Sequence, residues 1–566
     1  MELTKELVEK MFERGILLNA DLKEISDNLL AKLEIEEDLI VLNADYAEVI
    51  QGQTSLVDWY ELDHSRVLAE KEKDLDLYQN QLQHLRSSDL IITSPPLKIK
   101  SEIKSLELEL NREKEAISEN LDPTILNTKK NIKTDLNPNS FNFSSANNSS
   151  MEIVLSYENK PRKYAVKDFV NIFVTRYRFL ESLLRNRQEL RGTLSINRVL
   201  EKKEKENVSI IGMVEEVSTT KSGHLVFNLE DLTGKIKVLV SKNNKELFNQ
   251  GKELVPDEVI GINGMSSDKI IFAERIVWPD FPELPELKKS PLEEYALFIS
   301  DIHVGSKMFL KQEFLKFLRW LRGETGTEAQ KALAQKVKYL VIAGDLVDGI
   351  GIYPSQEEEL EINDITKQYQ EFVELIKQVP LDKQIIVCPG NHDLVHLAEP
   401  QPKFYKEFSA CLSEVPNLTL ITNPGMINIG KTKNFSGFNV LVYHGYSFDY
   451  YVNNVEPIRN NGGYTRADLI MQFLLKRRHL APSFQSTPYF PAHAEDPLLI
   501  KKIPDIFITG HIHYCKVANH KGVTLISGSC WQSKTAFQEK MGHEPEPGRV
   551  PIVNLQTREI KILKFV

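Results

Sequence analysis

The chain has 566 residues, 41% of them hydrophobic and 27% charged, the balance of a water-soluble protein with room for about three domains. A formal net charge of −10 excludes a protein that coats nucleic acid by bulk positive charge, so contact with a polyanion would need local basic patches or a partner. No apolar run reaches the roughly 18 residues of a membrane span, and the charged opening MELTKELVEKMFERG lacks the apolar core of a secretory signal, so a cytoplasmic location is expected.

Residues 1–60 place Leu7, Met11, Leu17, Leu18, Leu22, Ile25, Leu29, Leu30 and Leu33 at helical spacing and predict a small helical domain. Residues 61–160 begin rich in Glu, Lys and Leu, as solvated helices are, then pass into the Asn/Ser tract NPNSFNFSSANNSS. Such a tract buries too little apolar surface to offset its ordering entropy and predicts a flexible linker. Helical spacing returns in the segment 161–206, through Val166, Phe169, Phe173, Tyr177, Phe179 and Leu183. Its Arg176, Arg178, Arg185 and Arg187 read as a solvated face, with phosphate contact the alternative.

Residues 207–280 change to short strands punctuated at Lys221-Ser222-Gly223 and Asp231–Gly234, and about five strands in that length predict a small OB-fold barrel. Such barrels bind single strands or dock proteins. Phe227 and Trp278 suit a core position as well as a stacking platform. A Pro-rich joint, PDFPELPELKKS, precedes a domain over 290–566 in which apolar strands alternate with helical stretches. The four cysteines, Cys388, Cys411, Cys515 and Cys530, form no CxxC pair and are expected to be reduced thiols.

Five times in this last domain an apolar strand runs into polar residues able to hold a metal. YALFIS leads to Asp301 and His303, and YLVIA to Gly344-Asp345 with Asp348 just beyond. QIIVC leads to Gly390-Asn391-His392-Asp393, FNVLVY to His444-Gly445, and DIFIT to Gly510-His511-Ile512-His513. Sites in α/β sheets lie beyond the C-terminal strand ends, and the glycines let the backbone turn sharply there. Mixed Asp, His and Asn donors suit Mn²⁺, Fe²⁺ or Zn²⁺ better than Ca²⁺. One histidine at a strand end is usually structural, but five ordered motifs are hard to explain as core packing.

These motifs resemble the calcineurin-like metallophosphoesterase superfamily over about 295–566. The resemblance implies a two-sheet α/β sandwich after the OB-fold barrel and the helical N-terminal region. It implies one divalent ion on Asp301, His303 and His513 and a second on Asn391, His444 and His511, with Asp345 bridging. Mn²⁺ is favoured, with Fe²⁺ or Zn²⁺ possible. It also implies that His392 faces the substrate and that Asp393 orients it.

The strings Tyr353–Gln356 (YPSQ), Ala398–Pro402 (AEPQP) and Leu474–Pro482 (LLKRRHLAP), together with the barrel, resemble the small subunits of the archaeal family D DNA polymerases over about 165–566. That likeness implies a 3′–5′ proofreading exonuclease. It implies a large catalytic polymerase subunit as partner, DNA as substrate and a sliding clamp nearby. Lys476, Arg477 and Arg478 are candidate contacts to the DNA backbone, with a solvated helix end the plainer reading. Tyr446, Phe448, Tyr450 and Tyr451 could stack a frayed base, though core packing suits about half of them. The competing functions are a phosphatase or cyclic-nucleotide phosphodiesterase of the same fold, and a scaffold subunit without catalysis.

Overall fold

The computed structural model describes residues 16–18, 40–42, 151–157 and 163–566, apart from 203, 268, 285, 492, 494 and 541. The chain divides into two units, 1–141 and 142–566. In the first, the described residues are the strands β1 (Ile16–Leu18) and β2 (Ile40–Leu42), paired in parallel with Ile16 opposite Ile40. Leu17 and Leu18, expected on a helix, therefore lie in a strand, a conformation that the β-branched residue types at Ile16, Ile40 and Val41 favour. The remaining helical expectation for 1–60, and that for 61–150, fall outside the described residues.

In the second unit, β4 (Glu206–Thr219), β5 (Leu225–Glu230), β6 (Lys235–Val240), β7 (Val259–Ser267) and β8 (Ile270–Val277) close a barrel in the order β4-β5-β6-β8-β7. Alternate residues point inward, as the period of a strand requires, so Ile210, Phe227, Leu229, Val238 and Ile262 fill one core. Phe227 and Trp278 belong to that core and are buried, which removes them as stacking platforms. Helix α1 (Val166–Arg185) lays Tyr177, Leu180 and Leu184 against Ile211, Val259 and Val277 of the barrel. Its arginines do not share one face. Arg178 and Arg185 are exposed, whereas Arg176 is buried and forms an ion pair of 2.6 Å with Asp496.

The rest is a sandwich of two six-stranded sheets. The first has the order β12-β11-β10-β9-β18-β19, in which β9 is Tyr295–Ile299, β10 Val337–Ala343, β11 Gln384–Cys388, β12 Leu418–Leu420, β18 Arg549–Asn554 and β19 Ile560–Lys564. The second has the order β16-β17-β15-β14-β13-β3, in which β3 is Glu152–Leu155, β13 Gly425–Ile429, β14 Phe438–Val442, β15 Ile506–Thr509, β16 Lys516–His520 and β17 Val523–Ser527. Both faces of each sheet are covered, so the central strands read as continuous apolar runs. Ala296, Phe298, Val341, Val440 and Ile508 meet between the sheets. Leu297, Ile299, Leu340 and Ile342 face helices α2 (Lys311–Leu321) and α3 (Ile365–Ile376) through Phe314, Phe317, Tyr369 and Phe372. Leu441, Phe507 and Leu525 face α4 (Ala467–Arg477) through Ile470, Met471 and Leu474. Each such fully buried side chain contributes about 1.5–3 kcal/mol of burial free energy.

Strand β3 lies inside the stretch 61–160 expected to be helical and then a low-complexity linker. It pairs antiparallel with β13 at the sheet edge, with Ile153 opposite Ile427. The apolar string Ile153-Val154-Leu155 has the β-branched character that the preceding Asn/Ser tract lacks.

Candidate metal centre

The register of the sandwich assembles the site. Strands β9, β10 and β11 run parallel as neighbours, with Ile299 opposite Ile342 and Ala343 opposite Cys388. Their C-terminal ends release Asp301, Asp345 and Asn391 side by side. In the second sheet β14 and β15 run parallel with Val442 opposite Ile508, releasing His444 and His511 at the same rim. The rim is tight. Gly344 has φ of +88°, and a Cβ there would come within 2.5 Å of His444 Nδ1. A Cβ on Gly510 would lie 2.6 Å from Asp301 Oδ2. Only glycine lets the two sheets close to this distance.

Asp301, His303, Asp345, His511 and His513 all have positive φ, between 52° and 73°. For residues other than glycine this conformation costs on the order of 1–3 kcal/mol each, and it persists only where the surroundings over-determine it. The surroundings do so here. His511 N–H donates to Asp301 Oδ1 at 3.0 Å, His392 N–H donates to Asp345 Oδ1 at 2.8 Å, and Asp301 N–H donates to Gly344 O at 3.0 Å.

Two donor clusters result. In the first, His303 Nε2 and His513 Nε2 face each other at 3.0 Å, with Asp301 Oδ1 at 3.5 Å from His513 Nε2. In the second, His444 Nδ1 donates to Ala343 O at 2.8 Å, which turns Nε2 toward the site. His511 Nε2 donates to Asp449 Oδ2 at 2.8 Å, which turns Nδ1 toward Asn391. Both ring nitrogens converge on Asn391 Oδ1, at 2.8 and 2.9 Å. Asp345 stands between the clusters, its Oδ2 lying 3.3 Å from His444 Nε2 and 3.8 Å from His303 Nε2. Asp301, His303 and His513 could hold one ion, and Asp301, Asp345 and His444 also group within reach of a common ion.

The electrostatics agree with a cation site. Burial raises the Asp345 carboxyl, but His444 and His392 outweigh it and hold it well below the usual range. Burial lowers His444, but Asp345 outweighs it and pushes the imidazole up to about 9. Carboxylates that raise proton affinity this way raise affinity for a metal ion too.

A further layer orients the donors. Asp348 Oδ1 lies 3.1 Å from His303 Nδ1 and accepts from Gln532 Nε2 at 2.9 Å, while Gln356 Nε2 donates to Asp348 Oδ2 at 3.0 Å. Gln356 closes the YPSQ string, which gives that string its purpose. Gln401 of the AEPQP string donates to Gly390 O at 3.0 Å and accepts from Asn423 Nδ2 at 2.6 Å. Asn423 Oδ1 in turn accepts from His444 N–H at 2.9 Å. Carboxylate partners of ligating histidines fix the ring orientation. Asp348 and Asp449 have that role here. Asp348 was visible in sequence without an assigned task, and Asp449 was not singled out. Its signal is an acid shortly after His444 in GYSFDY.

Two expectations require correction. Asp393 does not orient His392. Its carboxylate turns inward and accepts from Gly390 N–H at 2.9 Å and Leu346 N–H at 3.3 Å, so it braces the turn. Burial, reinforced by Asp345, pushes it up to about 7. His392 is positioned instead by donating Nδ1–H to the Asp348 carbonyl at 2.7 Å, and burial lowers its pKa. The KRRH run is also not laid out for DNA. Arg477 is buried and pairs with Glu258 at 2.7 Å, and Arg478 donates to the carbonyls of Ile500 and Lys501 at 2.8 Å each. Lys476 pairs with Glu253 at 2.8 Å over the face of Trp278. The cations are engaged where α4 meets the barrel, because a buried guanidinium must find acceptors. Phe448 and Tyr451 are likewise core residues, whereas the Tyr446 ring lies 5.5 Å from that of His511 in the cleft.

His303, Asp345, Asn391, His511 and His513 form the floor of a cleft of about 570 Å³, which His392, Tyr446, Asp449 and His543 also line. Fold and site together define a calcineurin-like phosphoesterase domain, and the family model for calcineurin-like phosphoesterases matches residues 296–515. A model for OB-fold nucleic acid binding domains matches residues 208–267. The chain is 39% identical to the DNA polymerase II small subunit of Methanothermobacter thermautotrophicus over 400 residues, covering 71% of this chain and 80% of that one. It is 37% identical to the same subunit of Pyrococcus furiosus over 410 residues, covering 72% and 65% of the two chains. The Thermoplasma acidophilum subunit is 38% identical over 408 residues, covering 71% and 78%. The chain belongs to the DNA polymerase II small-subunit family. Among the described residues no helix is long and apolar enough to cross a membrane, and the four cysteines are free.

Proposed function

We propose that this chain is a metal-dependent 3′–5′ exonuclease that removes mispaired nucleotides from DNA ends, and that it works in a complex with a large polymerase subunit, near a sliding clamp in the cytoplasm. The observation carrying this reading is the convergence of the His444 and His511 ring nitrogens on Asn391 Oδ1 beside Asp345, in an open cleft. Asp301, His303 and His513 would hold one divalent ion, and Asn391, His444 and His511 a second, with Asp345 shared. The donor set favours Mn²⁺, with Fe²⁺ or Zn²⁺ possible. Such a pair supplies an acidified water and charge neutralisation at the phosphoryl oxygens.

The chain's own groups do the rest. His392 keeps Nε2 toward the cleft because Nδ1–H is engaged by the Asp348 carbonyl, and when Nε2 also takes up a proton it can donate it to a phosphoryl oxygen or to the leaving oxygen. Asp348 and Asp449 keep His303 and His511 from rotating. The test is single-turnover degradation of a mismatched primer in Mn²⁺ by the chain together with its large subunit. The unsubstituted complex is expected to shorten the primer, and an Asp345→Ala complex to leave it intact. Equal activity in both would move the chemistry elsewhere.

A further inference from the structure

The walls of the cleft carry two chemistries. Tyr446, Asp449 and His543 are polar. Ile350, Ile352 and Leu397 are aliphatic and are 43%, 39% and 42% exposed. A phosphodiester gives no reason to place aliphatic side chains in water beside it. The flat, weakly hydrated face of an unstacked nucleobase does.

The wall is built rigidly. Gly349 has φ of +75° and is clasped by Gln368, which accepts from its N–H at 3.0 Å and donates to its carbonyl at 3.1 Å. A Cβ on Gly349 would lie 2.5 Å from the His392 carbonyl, so the loop is seated against the residue facing the substrate. Ile352 N–H donates to Gln356 Oε1 at 2.9 Å, and the same Gln356 holds Asp348. Gln356 and Gln368 are both buried. One pair of buried amides thus fixes both the aliphatic wall and the group that orients a candidate metal ligand. The aromatics weighed as stacking platforms in the barrel, Phe227 and Trp278, and Phe448 and Tyr451 of the helical layer lie in cores.

We propose that Ile350, Ile352 and Leu397 form the seat of the unpaired terminal base, making the site selective for frayed or single-stranded ends over fully paired ones. This rests on the nuclease reading above and deepens it. A base still stacked in a duplex keeps its faces covered and gains nothing from the wall. A mispaired one exchanges water for aliphatic contact while its phosphate rests on the floor.

The test uses the full chain and two short single-stranded oligonucleotides, both with a hydrolysis-resistant phosphorothioate at the last linkage. One ends in an ordinary nucleotide and the other in an abasic residue. Fluorescence anisotropy in Mn²⁺ is expected to show about tenfold tighter binding of the base-bearing end, the ratio that 1.4 kcal/mol of contact gives. Ile350→Ser with Leu397→Ser is expected to bring the ratio near one, with the thermal midpoint unchanged because both positions are exposed. Ile352→Ser, made separately, is expected to lower it partway. Equal binding of the two ends by the unsubstituted chain overturns the proposal, as does a ratio that survives in the variants. Hydrolysis of an ordinary oligonucleotide is read separately. A chain that prefers the base-bearing end yet hydrolyses nothing keeps the seat and loses the nuclease reading. A chain that hydrolyses while binding both ends alike does the reverse.

Discussion

His392 and Asp345 have separable tasks, and substitution should separate them. His392→Asn keeps a side chain that can reach the Asp348 carbonyl but removes the proton donor. Turnover is expected to fall roughly 10²–10⁴-fold, the usual weight of acid–base help, while bound Mn²⁺ measured on the purified chain is retained. Asp345→Asn is expected to remove both, since its carboxylate is the charge on which the clusters centre. A second residue-scale expectation concerns His479. It donates Nε2–H to Asp496 at 2.8 Å and accepts from Ala481 N–H at 2.9 Å, so it is buried neutral. Burial, reinforced by the Arg176 charge, lowers it from 6.5 to about 4. Between those values the unfolded chain binds a proton that the folded chain refuses, so this group's contribution to stability is complete above about pH 6.5 and is lost as pH falls toward 4. Compared with a His479→Asn variant, the unsubstituted chain is expected to lose about 3 kcal/mol more stability between pH 7 and pH 4, measured by urea denaturation at each pH.

Strand ends carry the next level. Gly344 sits where β10 meets the second sheet, and Gly344→Ala combines a positive φ with a Cβ pressed against His444 and Gly390. We expect a loss of about 1–3 kcal/mol in stability and weaker metal binding, readable by thermal melting and metal titration on one sample. At this scale the sequence was most informative. The strands before Asp301, Asp345, Asn391, His444 and His511 were visible as apolar runs because both faces of each sheet are covered. The ends of those runs placed the donors. What could not be seen is what depends on direction. The Asp393 side chain turns inward although it follows His392, because backbone N–H groups of Gly390 and Leu346 need an acceptor. Arg477 and Arg478 looked like a solvated or DNA-facing cluster because a linear string does not show that Glu258, more than two hundred residues earlier, would be its partner.

For the whole molecule, that ion pair joins the barrel to the helical layer over the second sheet. Glu258 also accepts from Trp278 Nε1 at 2.9 Å and Val255 N–H at 2.8 Å. Burial shifts both partners toward neutrality, raising Glu258 and lowering Arg477. Such a pair is a poor source of net stability but costly to break on one side. Glu258→Gln is expected to destabilise the fold by about 3–5 kcal/mol, whereas replacing Glu258 and Arg477 together by apolar residues of similar volume should cost far less. A double-mutant cycle in urea measures the difference.

Strand β3 gives the chain an order in space that its order in sequence hides. It is laid down before the barrel is reached, yet it completes a sheet whose other members all follow the barrel. The barrel is therefore an insertion, its polypeptide entering from and returning to the same sandwich. A chain begun at residue 160, where composition invites the cut, would strip β13 of its neighbour and bare the backbone of Met426–Asn428 as an open edge. Open edges recruit strands from other molecules. Such a truncated protein should self-associate in light scattering, and a synthetic peptide spanning 151–157 should restore it to a monomer.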